Sequence, residues 1–513
     1  MTKLTTALIK ELDVDQDKNI LQDAENGIWY TRRQFQMDVE SLKNSMLARN
    51  VGYGDHVLIA LQNAVVYAPL MQAIWEIGAV AYPISDTTPG EELTALISSD
   101  DYPVAFVQQQ FAKPLSGLAG ITRTTISLRT IMELPILWND RVLVNRTKPN
   151  ETRILETDLA LVLHTSGTTG KPKSVGLTHE LLYNGAIHDR DSHETTSKDT
   201  ALIMMPMFHV NSQIMSLLQM RLAGGRVSIA KKFSASRFWS QVAKGDVTWA
   251  SVVPTILSIL LLNEKSQAQF DDYQDQIHLR FLRSSSFALP LKKLTDFEDR
   301  FHTLILEGYG MTETASQCTI NPLDAPKVGS AGKPFATDLK LIVDGEMVDA
   351  PDVVGEIAVR GDHVISDYLE TNPESFHNDW FLTGDLGYLD EDGYLFVKGR
   401  RKEMISRGGE KVAPAKVENV LNELPFIEQV AVIGMPDDLY GEAVTAVTIL
   451  KAGETSRPLA KEKILKYTEH KLAKFERPTE VIFVDEFPLN TTGKVVRPKL
   501  RESLLAASVG GEA

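Results

Sequence analysis

Nine consecutive residues place an unusual density of donors in one short loop: Thr165, Ser166, Gly167, Thr168, Thr169, Gly170, Lys171, Pro172 and Lys173. The glycines let backbone N–H groups turn toward a ligand, while hydroxyls and ammonium groups add further donors. Polyphosphate is the matching ligand. A Walker A loop has four residues between its glycines and a Ser or Thr after its Lys. Here two residues separate Gly167 from Gly170 and Pro172 follows Lys171, so this is a different phosphate loop. The plain alternative is a polar surface turn.

Three further strings carry chemistry. In Tyr309-Gly310-Met311-Thr312-Glu313-Thr314 the Tyr offers a flat face for a base, and Gly310 permits close backbone approach. Thr312 can donate to a phosphate oxygen, and Glu313 is a hard oxygen ligand suited to Mg2+. In Trp380–Asp385 the carboxylate of Asp385 can accept two hydrogen bonds from a cis-diol. In Leu489–Arg497, Lys494 follows a Gly turn and can enter a cleft as a mobile point charge.

The elements that must position these residues alternate. Strands are expected at Val57–Leu61, Gly78–Pro83, Leu159–Leu163, Thr200–Met205 and Arg226–Ala230, and helices at Val65–Ile77, Thr178–Ala186, Gln213–Leu222 and Ser236–Lys244. In this reading the phosphate loop lies between a strand and a helix. The alternation predicts an α/β fold, a large N-terminal domain of parallel sheets flanked by helices over 1–397. Short strands between Gly and Asp turns predict a β-rich subdomain at about 335–397. The charged stretch 398–402 reads as an inter-domain linker, and 403–513 as a smaller, separate α+β C-terminal domain.

The whole chain sets the bounds. Its 513 residues exceed one ordinary core. A net charge of −15 argues against nucleic acid as the main partner. The single cysteine, Cys318, allows no internal disulfide and reads as a buried apolar side chain, which suits a reducing cytoplasm. The N-terminal stretch lacks a signal-peptide core, and the apolar run Ser251–Leu262 is too short to span a bilayer. No stable membrane insertion is expected, and the chain is read as a monomer or homodimer.

On these motifs, and along most of the chain from about Tyr53 to Arg501, the sequence resembles the adenylate-forming superfamily: acyl-CoA synthetases, adenylation domains of peptide synthetases, and firefly luciferase. Ser174 stands where the family usually carries Gly. The resemblance implies that Thr165–Gly170 and Lys173 bind ATP phosphates, with Ser286 and Gly310 also at the nucleotide. Tyr309 would stack on adenine, Thr312 contact the α-phosphate, and Glu313 with Thr168 hold Mg2+. Asp385 and Arg400 would bind ribose. Lys494 would bridge the substrate carboxylate and the α-phosphate, a contribution of about 3 kcal/mol by analogy with one oxyanion donor.

Lys402 matches the family hinge, and Arg407-Gly408-Gly409 the loop lining the path of coenzyme A. His209, in Pro206-Met207-Phe208-His209, corresponds to the residue bordering the acyl pocket, where it would gate the pocket or polarise the acyl group, the plain alternative being a structural His. A His here, rather than Asp, disfavours an amino-acid substrate. The implied activity is an ATP-dependent carboxylate–CoA ligase acting on a small carboxylic acid. The alternative is an acyl-adenylating enzyme that loads a separate carrier protein. Phe233–Trp239, Val253–Ile256, Leu279–Ser286 and Arg407–Lys411 are similar to oxalate–CoA ligases, whereas Asn211 and Ser316 depart from them. Arg283 and Ser284–Ser286 could meet a second carboxylate or shape the wall near adenine.

Overall fold

The computed structural model describes residues 1–144, 153–165, 173–286, 289–451, 453, 455–489 and 494–509. Ser166, Gly167, Thr168, Thr169 and Gly170 lie outside the described residues, as do Asn490–Gly493.

The described strands form four sheets. In the first, His56–Ala60, Val80–Pro83, Val104–Val107 and Leu159–Thr165 run parallel. Val104–Val107 is buried at every residue, as expected where helices cover both faces. The second sheet has nine strands. Its parallel run contains Asn19–Asp23, Arg226–Ile229, Thr200–Ile203, Trp249–Val252, Phe281–Ser284 and Ile305–Tyr309. One continuous core joins both sheets. The helix Tyr67–Glu76 is buried from Tyr67 to Trp75, as its apolar residues on every face require. A second cluster, built around Trp239, Phe297 and Phe301, packs on the nine-stranded sheet.

The apolar run Ser251–Leu262 divides at Pro254, which opens the helix Pro254–Leu262. Among the described residues, no helix is long and apolar enough to cross a membrane.

Two local expectations change. The phosphate loop is followed by a strand, Lys173–Thr178, which pairs antiparallel with Leu159–Thr165; the helix His179–Ser192 starts only after it. Thr178 marks that start because its side chain accepts from Leu181 N. The second change lies just after His209. Residues Asn211–Leu218 form a π-helix that continues as an α-helix over Gln219–Leu222.

The third sheet is the small antiparallel one formed by Asp338–Val343, Glu346–Val348, Gly355–Arg360, Phe376–His377, Trp380–Leu389 and Leu395–Arg400. Its last strand pairs Arg400 with Asp385 and Gly399 with Leu386, shifts register at Lys398, and ends at a 3-10 turn over Arg401–Glu403. Arg401 anchors that turn to the buried Glu356 at 2.9 Å. Beyond it, residues from Ile405 to Val481 form a separate apolar cluster around the fourth sheet.

Candidate active site

A cavity of about 390 Å³ opens between the N-terminal sheets and the C-terminal unit. It gathers Tyr309, Gly310, Ser286, Asp385, Arg400 and Lys494, residues drawn from five separate parts of the chain. Ser286 reaches it with a left-handed backbone, φ 79°. Glycine at 310 is enforced by the protein itself: a Cβ there would lie 2.0 Å from the Ser316 carbonyl oxygen.

Tyr309 ends a strand of the nine-stranded sheet, and Asp385 lies mid-strand in the small antiparallel sheet. The phenol donates to Asp385 Oδ2 at 2.6 Å, and Arg400 Nε lies 2.9 Å from Oδ1. Asp385 N also donates to Thr383 Oγ1 at 3.1 Å. Each carboxylate oxygen keeps a lone pair for a ligand hydroxyl.

Lys494 enters from the C-terminal unit. Burial pulls its ammonium below the ordinary lysine value; Arg400 and Arg497 act in the same direction, against Glu403 and Asp385. Arg497 ties this region together, bonding Glu403 at 2.9 Å and Glu418 at 2.7 Å. Sequence reasoning missed Glu403, in a charged turn, and Glu418, on a helix, because such a Glu reads as a solvated surface group, and it took Arg497 only as the end of the Lys494 string.

Glu313 sits on a 3-10 turn and is buried. Tyr368 OH donates to its Oε1 at 2.8 Å. Lys173 lies 4.4 Å over the Tyr368 ring and donates to Ser375 at 3.1 Å. Tyr368 and Ser375 were also missed, since neither belongs to a recognisable string. Ser174 takes up a specific role: its N and Oγ donate to the Glu370 carboxylate at 3.3 and 3.1 Å. The strand leaving the phosphate loop is thereby tied to the segment that carries Tyr368.

The remaining sites do not line this cavity. His209 is part-buried, and burial lowers its pKa to about 4, so its imidazole is neutral at pH 7. Its Nε2, Asn211 Oδ1 and Ser284 Oγ are buried without a hydrogen-bond partner among the described residues. Gly408 and Gly409, φ 59° and 91°, make the two-residue turn of the hairpin between Ile405–Arg407 and Glu410–Val412. Lys402 is exposed on the 3-10 turn, and Thr312 opens the turn that carries Glu313.

The carboxylate of Glu313 fits Mg2+, offering a hard oxygen beside the strand that leaves the phosphate loop.

A family model described as AMP-binding enzyme matches residues 10–369, and one described as AMP-binding enzyme C-terminal domain matches residues 416–494. The chain is 33% identical over 458 residues to the oxalate–CoA ligase of Arabidopsis thaliana, covering 86% of this chain and 87% of that one. It is 32% identical over 500 residues to the sulfoacetate–CoA ligase of Cupriavidus necator, covering 94% of each. Among solved structures it is similar to o-succinylbenzoate coenzyme A synthetase from Bacillus subtilis in complex with ATP and magnesium ion. That match has a TM-score of 0.78 and 26% identity, over 96% of this chain and 98% of the other.

Proposed function

The chain belongs to the AMP-binding enzyme family and is an acyl-CoA synthetase using ATP, Mg2+ and coenzyme A; from that premise we propose a two-step reaction on a small polar carboxylic acid. The observation that carries this reading is Lys494 sharing one cavity with Tyr309, Asp385 and Arg400.

In the first step a carboxylate oxygen of the acid attacks the α-phosphorus of ATP, and the bond to pyrophosphate breaks. Tyr309 packs against adenine while Asp385 and Arg400 hold ribose. Lys494, with Thr312, meets the negative charge that builds on the phosphoryl oxygens, where a poorly hydrated ammonium is most effective. Glu313 and Thr168 would hold Mg2+, which would supply positive charge to the phosphates.

In the second step the thiolate of coenzyme A attacks the acyl carbon, and AMP leaves. Lys494 has no part in that attack. The C-terminal unit turns about Lys402, withdrawing Lys494 and bringing the Gly408-Gly409 turn to the thiol path.

A small polar acid is favoured for two reasons. Oxalate and sulfoacetate, named in the two relatives, each carry a second anionic group. The unpaired His209 Nε2, Asn211 Oδ1 and Ser284 Oγ would also be costly beside an alkyl chain.

The test is AMP formation over a panel of small mono- and dicarboxylic acids, with and without coenzyme A. AMP release should accelerate when coenzyme A is added with the cognate acid. A panel in which coenzyme A never changes AMP release sinks the ligase reading and favours transfer to a carrier protein.

A further inference from the structure

His188, Asp362 and His363 bring three ligand atoms within 4.8 Å of one another, away from the cavity described above. His188 lies on the helix His179–Ser192, whereas Asp362 and His363 follow the strand Gly355–Arg360. His188 Nε2 is 2.7 Å from Asp362 Oδ1, and His363 Nδ1 is 3.5 Å from the same oxygen. The two rings meet edge to face, their centroids 5.1 Å apart.

The hydrogen-bond pattern around His363 fixes its tautomer. The residue is 1% exposed. Its Nε2 faces the Gln317 carbonyl at 3.1 Å and Thr337 Oγ1 at 3.2 Å. The Thr337 hydroxyl already donates to the Phe335 carbonyl at 2.9 Å. A carbonyl cannot donate, so the proton sits on Nε2 and the lone pair on Nδ1. That lone pair is buried with no hydrogen-bond partner and faces a carboxylate oxygen. His363 is buried while the Asp362 carboxylate is open to solvent, and two acceptors so placed attract a cation between them. A backbone carbonyl orienting the far nitrogen is also how metal-binding histidines are usually held.

We propose that His188 Nε2, Asp362 and His363 Nδ1 bind one divalent transition-metal ion of the Zn2+ type. Two imidazoles and one carboxylate leave a fourth position for water, and imidazole ligands favour Zn2+ over Mg2+. Access is open, since the Asp362 side chain is 61% exposed and that of His188 23%. When His188 Nε2 carries the proton shared with Asp362, the metal replaces it and the proton leaves to solvent.

The site joins two parts that the adenylate chemistry needs held together. Ile365 N, two residues past His363, donates to the Glu313 carbonyl at 2.9 Å, and Tyr368 OH bonds the Glu313 carboxylate. A metal here pins that segment to the helix His179–Ser192. It is a supporting site, separate from the Mg2+ held by Glu313.

The test uses full-length, tag-free protein stripped with a chelator and titrated with Co2+ while visible absorption is followed. One equivalent of Co2+ should develop a d–d band that Zn2+ abolishes and a large excess of Mg2+ leaves intact. His188→Gln should weaken Co2+ binding about 100-fold or more while AMP formation shows the protein folded. His363→Gln should do the same, but His188, being partly exposed, is the safer position. Zn2+ should also slow amide exchange over 361–368. Failure to develop a stoichiometric band, or a band unchanged in His188→Gln, overturns the proposal.

Discussion

Tyr309 and Asp385, 76 residues apart, are joined by a 2.6 Å hydrogen bond from phenol to carboxylate, and Arg400 holds the other oxygen of that carboxylate. Removing the phenol hydroxyl takes away a bond to a charged group, worth about 1.5–3 kcal/mol. Tyr309→Phe should raise KM for ATP roughly tenfold, by RT ln 10 of about 1.4 kcal/mol, with a smaller effect on kcat. Asp385→Asn should be more damaging, because Arg400 then loses its carboxylate partner. Steady-state kinetics at saturating acid will separate the two parameters.

Lys494→Ala should slow adenylation about 10²–10³-fold, the cost of one transition-state donor. Thioester formation from supplied acyl-adenylate should survive. Because the ammonium must be protonated and burial lowers its pKa, the alkaline limb of adenylation should lie below the ordinary lysine range. Lys494→Arg should push that limb upward, since guanidinium does not titrate there. Equal loss of both half-reactions in the Ala variant would contradict the assigned role.

Tyr368→Phe leaves Glu313 Oε1 without its donor. The carboxylate is then less firmly aimed, and the half-saturating Mg2+ concentration for adenylation should rise several-fold. A Mg2+ titration at fixed ATP reads this directly, and an unchanged curve would remove Tyr368 from the site.

Arg497 is the common partner of Glu403 and Glu418. Arg497→Met strands two partly buried carboxylates and should destabilise the C-terminal unit by about 3 kcal/mol. Urea unfolding followed by a probe in that unit should show an earlier transition, with the N-terminal transition unmoved.

Glu307, on the wall of the cavity, is pushed up to about 7 by burial, against the backbone donors Gly329 N and Leu289 N. A carboxyl with its pKa raised on folding adds stability that is complete below the ordinary carboxylate range. That stability is lost as pH rises through about 7. Glu307→Gln stays neutral, so its melting temperature should gain on that of the native protein between about pH 5 and pH 8. Parallel melting curves across that range would refute the assignment.

The motifs were legible because each combines a turn with a residue of one chemistry: Tyr309, Asp385, Arg400 and Lys494 are found together in the cavity. What lies between them was harder to read. Lys173–Thr178 was merged into loop and helix because Gly176 and the polar Lys173, Ser174 and Thr178 dilute its alternation, although Val175 and Leu177 face inward. The π-helix at Asn211–Leu218 has the same apolar spacing as an α-helix, so periodicity alone cannot mark it. Tyr368, Arg497 and the cluster of His188 with His363 depend on tertiary neighbours, which a one-dimensional pattern does not encode. Ser174 stands where the family usually carries Gly, and nothing in the string shows that its contacts reach Glu370, 196 residues away.

Arg400 closes a strand, paired in register with Asp385, and the chain leaves the sheet only at Arg401. Any swing of the C-terminal unit that begins past that point moves Lys494 but leaves the Asp385–Arg400 clasp untouched. In the proposed two-step reaction, a nucleotide whose sugar rested on that clasp would stay in place through such a swing, and the activated acid would not have to leave between its making and its use.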